Sequence, residues 1–123
     1  MSWLKKILGG DRVPPTSVND SNFESEVLRS DLPVILDVWS PGCAPCKQLE
    51  EVIFGLSQQY RGQVKVCEMN SAGATKTAMR LRISGTPSVV YFRGGREVER
   101  VVGFRGSLFH RQTIEEVFEI PQP

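Results

Sequence analysis

The chain has one histidine, three cysteines and no block of five or six like charges among its 123 residues. Each scarcity excludes something. A lone histidine without a partner is no metal-ligand set. An odd cysteine count, with Cys43 and Cys46 only three positions apart, is not the framework of a disulfide-stapled secreted domain, and a reducing cytoplasm is the simplest compartment. Fifteen basic residues against fourteen acidic ones give a formal charge of +1, so nothing points to nucleic acid as a partner. The first ten residues, MSWLKKILGG, carry a basic pair followed by only Ile7 and Leu8, far short of the apolar stretch of an export signal. Trp3, Leu4, Ile7 and Leu8 make at most one amphipathic turn, too short for stable membrane insertion. Repeats and low-complexity stretches are also missing. What remains is 40% hydrophobic and 24% charged, the composition of one globular domain.

Gly9 to Pro15 is punctuation, which makes residues 1–15 an appendage and 16–123 the domain. Asn19, Asp20 or Ser21 offers a cap to a helix of about three turns carrying Phe23, Val27 and Leu28. Val34, Ile35, Leu36, Val38 and Trp39 form a nearly unbroken apolar run, as in a strand covered on both faces, with Asp37 its one exception. From Cys43 to Tyr60, the positions Leu49, Val52, Ile53, Leu56 and Tyr60 fall on one stripe of a long amphipathic helix, with Pro45 tolerated in its first turn. QVKVCEM reads as a strand and Thr75 to Leu81 as a short helix. Pro87 to Phe92 and Arg96 to Val102 form a hairpin around Gly94-Gly95, and Arg96, Glu97, Glu99 and Arg100 suit an edge strand. Ser107 is placed to cap a last helix that Pro121 ends. The order βαβαβαββα predicts an α/β fold, a central mixed sheet with helices on both faces. Cys43 follows Trp39 by four residues, at the carboxyl end of a strand, where such sheets hold their chemistry.

A C-x-x-C at a helix start puts two sulfurs one turn apart on one face, within reach of a Cys43–Cys46 disulfide. Cys43 sits where free backbone N–H groups and the positive helix end favour the thiolate, so it is the nucleophile. Cys46, one turn deeper, attacks the resulting mixed disulfide and is the resolving thiol. Half of a zinc site is the alternative for such a pair. It needs two more ligands, and Cys67 and His110 are the only candidates, one on a strand and one near the last helix. Cys67 reads as a buried strand thiol and His110 as a residue of an exposed helix turn.

With these residues in place, DVWSPGCAPCKQL resembles the thioredoxin active-site stretch D-F-W-A-x-W-C-G-P-C-K. SGTPSVVYFRGG is similar to that family's G-I-P-T strand and hairpin, and VVGFRGS to its V-G-A stretch before the last helix. The likeness runs from about Ser17 to Phe118 with the motifs in family order. It implies the thioredoxin fold and reduction of protein disulfides, with a separate disulfide reductase as electron donor and no cofactor bound to this chain. It further implies a cis peptide bond at Pro87 beside the cysteines and a Thr86 backbone that pairs with an extended substrate segment. Gly42, Thr86, Pro87 and Gly103 become substrate-binding positions, and Trp39, Ala44, Pro45 and Lys47 structural neighbours of the site. Asp37 matches the family's buried carboxylate, a proton carrier for the resolving cysteine.

The chain also departs from the family pattern. Gly42 stands where an exposed tryptophan is usual and Ala44 where a glycine is. Glu51 replaces a helix-kinking proline, and Glu68 a lysine near the buried carboxylate. By family position Glu68 approaches Asp37 across two neighbouring strands, unless it bends into solvent. These changes leave open a second reading, a thioredoxin-like binding module with slow turnover. A metal or iron–sulfur site bridged between two chains by C-x-x-C is the third.

Overall fold

The computed structural model describes residues 13–121. Trp3, Leu4, Ile7 and Leu8 fall outside them. Five strands, β1 (Thr16–Val18), β2 (Val34–Trp39), β3 (Lys65–Asn70), β4 (Ser88–Arg93) and β5 (Arg96–Val102), form one sheet in the order β1-β3-β2-β4-β5. β2 and β1 each run parallel to β3, while β4 is antiparallel to both β2 and β5. The apolar run of β2 is explained by its place: it is the central strand, fully covered on both faces.

The alternation of side chains divides the core in two. Val34, Leu36 and Val38 join Cys67, Met69, Val90 and Phe92 on one face, under the helical segment α1 (Glu24–Leu28) and the helix α3 (Thr75–Arg80). Ile35, Val66, Val89 and Tyr91 point to the other, beneath α2 (Ala44–Gln59) and α4 (Ser107–Phe118). Asp37 and Glu68, the partners of Ile35 and Val66 by alternation, therefore fall on the α2 side. The stripe expected for α2 is the face it buries, with Leu49, Ile53, Leu56 and Tyr60 in the second cluster.

The first helix is shorter than the sequence predicts. It winds five residues with wide turns, Arg29 N–H reaching Glu24 O at 2.9 Å. Of the three candidate caps, Asn19 turns the chain locally, its Oδ1 accepting from the Ser21 and Asn22 N–H groups. Asp20 instead crosses to α3. Its Oδ1 accepts from Thr77 N–H at 2.8 Å and Thr77 Oγ at 2.7 Å, supplying the cap that Ala74 lacks. Those bonds hold the Asp20 carboxyl below its ordinary pKa. Ser107 does not cap α4: it is the first helical residue, preceded by Gly106, and no side chain caps that end.

At the far edge, Gly94 and Gly95 adopt φ of 59° and 78° in the β4–β5 turn. A Cβ on Gly95 would meet Leu28 O at 2.7 Å, so that position has room only for glycine. Arg100 anchors β5 by donating to Leu81 O at 2.6 Å and Arg82 O at 3.2 Å, the open end of α3.

Cys67 is wholly buried among apolar side chains, and burial pushes its thiol up to about 12. Cys67→Ser is expected to cost about 1 kcal/mol in chemical denaturation and to leave turnover within about twofold. A large loss of turnover would mark Cys67 as a third redox thiol.

Candidate active site

Pro41 and Gly42 turn the chain out of β2 and into α2. Gly42 has φ +75°, a left-handed conformation that a side-chain-bearing residue adopts only under strain. That accounts for the glycine at this departure from the family pattern. Cys43 is the N-cap of α2, with extended backbone (φ −90°, ψ 106°), and its sulfur accepts the Cys46 N–H at 3.2 Å. The capping group of the helix and the outer sulfur are therefore one atom. Pro45 occupies the first turn, where a missing N–H costs little.

Cys43 and Cys46 are joined in a disulfide, with their Cα atoms 5.3 Å apart. Cys43 is partly exposed, whereas Cys46 is 3% exposed. Access and depth thus separate two chemically identical groups. Pro41, Ala44 and Lys47 are exposed around them, and with Trp39, Ser40 and Glu50 the segment lines a cleft of about 420 Å³ open to solvent.

The loop before β4 meets the cysteine turn from a distant part of the chain. The Thr86–Pro87 bond is cis, as the resemblance implies. Cys43 Sγ lies 3.6 Å from Thr86 O, and Ser40 Oγ and Thr86 Oγ are 2.6 Å apart, tying this loop to the turn that carries the cysteines. Gly103, at φ +94°, donates its N–H to Pro87 O at 2.8 Å. The segments carrying Gly42, Cys43, Thr86, Pro87 and Gly103 are thereby linked at one end of the sheet, though separated along the chain.

On the α2 side of β2, Asp37 is completely buried, and neither of its carboxyl oxygens has a hydrogen-bond partner among the described residues. Burial, and then the acidic chains of Glu68 and Glu50, push its pKa up to about 8. Glu68 pairs with Asp37 in the β2–β3 register and is 8% exposed, so it does not bend into solvent. Its Oε1 accepts the Trp39 indole N–H at 2.6 Å. Glu50, one turn beyond Cys46 on α2, is 9% exposed. Sequence reasoning passed over Glu50, although it falls beside Leu49 and Ile53 on the buried stripe.

His110 corrects another expectation. It is fully buried, with Nδ1 hydrogen-bonded to Tyr91 Oη, and burial with nearby Arg105 pushes its pKa down to about 4. Four residues before Ile114, it lies on the inward stripe of α4, and that spacing was the available sign. Cys67 packs on the opposite sheet face, so these two cannot complete a metal site with the C-x-x-C. Among the described residues, no group of three or more His, Cys, Asp or Glu side chains is arranged to hold a metal ion.

Comparison with known proteins agrees with this geometry. A family model described as Thioredoxin matches residues 14–116. The chain is 39% identical over 98 residues to thioredoxin 1 of Nostoc sp., covering 80% of this chain and 92% of that one. It is 42% identical over 86 residues to the thioredoxin of Synechocystis sp., covering 70% and 80%. Against the chloroplastic M-type thioredoxin of Brassica napus the identity is 35%, over 70% of this chain and 49% of the longer relative.

Proposed function

Because the chain belongs to the thioredoxin family and is a thiol-disulfide oxidoreductase, we propose that it reduces disulfides in other proteins, with Cys43 attacking and Cys46 resolving. The observation that carries this assignment is the unequal placement of the two sulfurs: one at the helix cap and open to the cleft, the other buried one turn below.

In the reduced protein, the Cys43 thiolate attacks one sulfur of the substrate disulfide. A Cys43–substrate disulfide forms, and the other substrate sulfur leaves with the bonding pair and takes up a proton. Cys46 then gives up its proton and attacks Cys43 Sγ. The internal disulfide closes, and the second substrate thiol departs. The substrate gains two electrons and this protein loses two, ending in the oxidised form described here. A separate disulfide reductase returns the electrons. The Thr86 backbone offers an extended substrate segment one side of a strand pairing, with Gly42 and Gly103 leaving the approach open. Asp37 serves as the proton carrier for Cys46. Trp39, Ala44, Pro45 and Lys47 shape the cleft around the pair.

The unit that does this is residues 16–123, with 1–15 an appendage, and its working compartment is the cytoplasm, where a reductase keeps the dithiol reduced. Among the described residues no helix is long and apolar enough to cross a membrane. The test is catalytic reduction of a disulfide-bonded protein with dithiothreitol as electron source. Multiple turnovers per molecule are expected. Binding of the substrate without turnover would overturn the proposal in favour of a recognition module.

A further inference from the structure

Three acidic side chains, Asp37, Glu68 and Glu50, are buried on the α2 side of the sheet, and Glu50 lines the same cleft as the cysteine pair. We propose that Glu68, register partner of Asp37 and held in place by the Trp39 indole, is a positioning residue that acts through Asp37 and so sets the pH range in which Cys46 resolves the mixed disulfide. The inference deepens the function proposed above and rests on it.

The geometry is specific. Asp37 and Glu68 are register partners on adjacent parallel strands, so their side chains leave the sheet side by side on one face. Trp39, two residues after Asp37 on that same face, lines the cleft and donates its only N–H to Glu68 Oε1 at 2.6 Å. An indole can donate but not accept, so this bond holds a glutamate oxygen inward, against a swing into water. From the helix side, α2 presents Glu50 and the 3%-exposed Cys46, while Lys47 on the next position is exposed. From the other neighbouring strand, β4, the residue paired with Asp37 is the apolar Val89. The groups acting on Asp37 are thus burial and two acids, and no cation is among them.

The chemical consequence follows from the sign. Like charges in a water-poor site favour the neutral carboxyl. With its pKa near 8, only about one Asp37 in ten is ionised at pH 7. A protonated carboxyl cannot accept the Cys46 proton, so resolution is slow at neutral pH and accelerates toward pH 8. In the reverse direction the same proton is an asset. When a reductant attacks Cys43 and expels Cys46, Asp37 can protonate the departing sulfur. Glu68 therefore biases the site toward being recharged and against rapid release of bound substrate.

The test is single-turnover reduction of a disulfide-bonded protein from pH 5.5 to 9.5, with acid quenching and mass spectrometry to follow the mixed disulfide. It is paired with carbon-13 NMR titration of the Asp37 carboxyl. Glu68→Gln is expected to move the Asp37 midpoint down by about one pH unit and to speed resolution severalfold at pH 7. Glu68→Asp, which keeps the charge, should restore most of the parent profile. Trp39→Phe, which removes only the N–H and part of the ring, should move the midpoint part of the way, and it serves as the independent variant if Glu68→Gln fails to fold. In an Asp37→Asn background, Glu68→Gln should no longer shift the profile, because its route of action is gone. An unchanged Asp37 midpoint in both Glu68→Gln and Trp39→Phe overturns the inference. Failure of the underlying function is distinguishable, since then no variant reduces the substrate at any pH.

Discussion

Cys43→Ser is expected to reduce disulfide exchange to background, and Cys46→Ser to retain the first attack and accumulate a covalent adduct with the substrate. A hydroxyl at position 43 is neither ionised at neutral pH nor able to form a disulfide, so no intermediate arises. With serine at 46, Cys43 still has the helix N-terminus beside it and still opens to the cleft, but nothing one turn below can displace the substrate. Non-reducing electrophoresis and intact mass after mixing with a disulfide-bonded protein read the difference directly. Adduct with Cys43→Ser and none with Cys46→Ser would reverse the roles and contradict the exposure difference on which they stand.

The second large effect is on stability and comes from two buried titratable groups of opposite character. Asp37 has a folded pKa near 8 against about 4 unfolded. Its favourable contribution is complete below pH 4 and is lost as pH rises through 8, on the order of 5 kcal/mol over that span. His110 has a folded pKa near 4 against about 6.5 unfolded. Its contribution is complete above pH 6.5 and is lost as pH falls through 4, on the order of 3 kcal/mol. Between pH 4 and 6.5 the two slopes oppose each other, so these groups leave stability nearly level. Above 6.5 only Asp37 still titrates, and unfolding free energy should fall by about 2 kcal/mol by pH 8. Asp37→Asn removes that decline and uncovers the His110 slope, so the variant gains stability from pH 4 to 6.5 and then stays level. Urea denaturation of parent and variant across pH 4 to 8 checks both. A decline above pH 6.5 that persists in Asp37→Asn would show that another group carries it.

Much of this architecture was legible because it depends on local pattern. The apolar run of β2, the stripe of α2 and the Gly94-Gly95 turn each carry their geometry in a few consecutive residues. Family likeness added what no periodicity contains, such as the Thr86–Pro87 bond and the approach of Glu68 to Asp37. Two of the misses share one cause: a polar side chain whose partner lies far along the chain. Asp20 is an ordinary cap candidate for the helix that follows it, but it caps α3 because β1 sets it beside Thr77. His110 looks exposed when read by residue type, although its spacing from Ile114 already puts it on the inward stripe, where it meets Tyr91. The bond from Trp39 to Glu68 joins two strands, and neither residue type announces it.

The order in which the site's parts occur along the chain has a bearing on biosynthesis. Cys43 and Cys46 emerge early, but Glu68 comes later, Thr86 is 43 residues beyond Cys43, and Gly103 follows later still. While synthesis continues, α2 is a segment of sixteen residues with no sheet to cover it, and an isolated helix of that length is marginal in water. Without a settled helix end, Cys43 lacks the N–H groups that favour its thiolate, and without the loop before β4 it lacks its contact with Thr86. A nascent chain therefore carries two ordinary thiols where the finished domain carries a redox pair. Heightened reactivity arrives with completion of the fold, and until then the growing polypeptide holds no thiol more prone to exchange than an ordinary one.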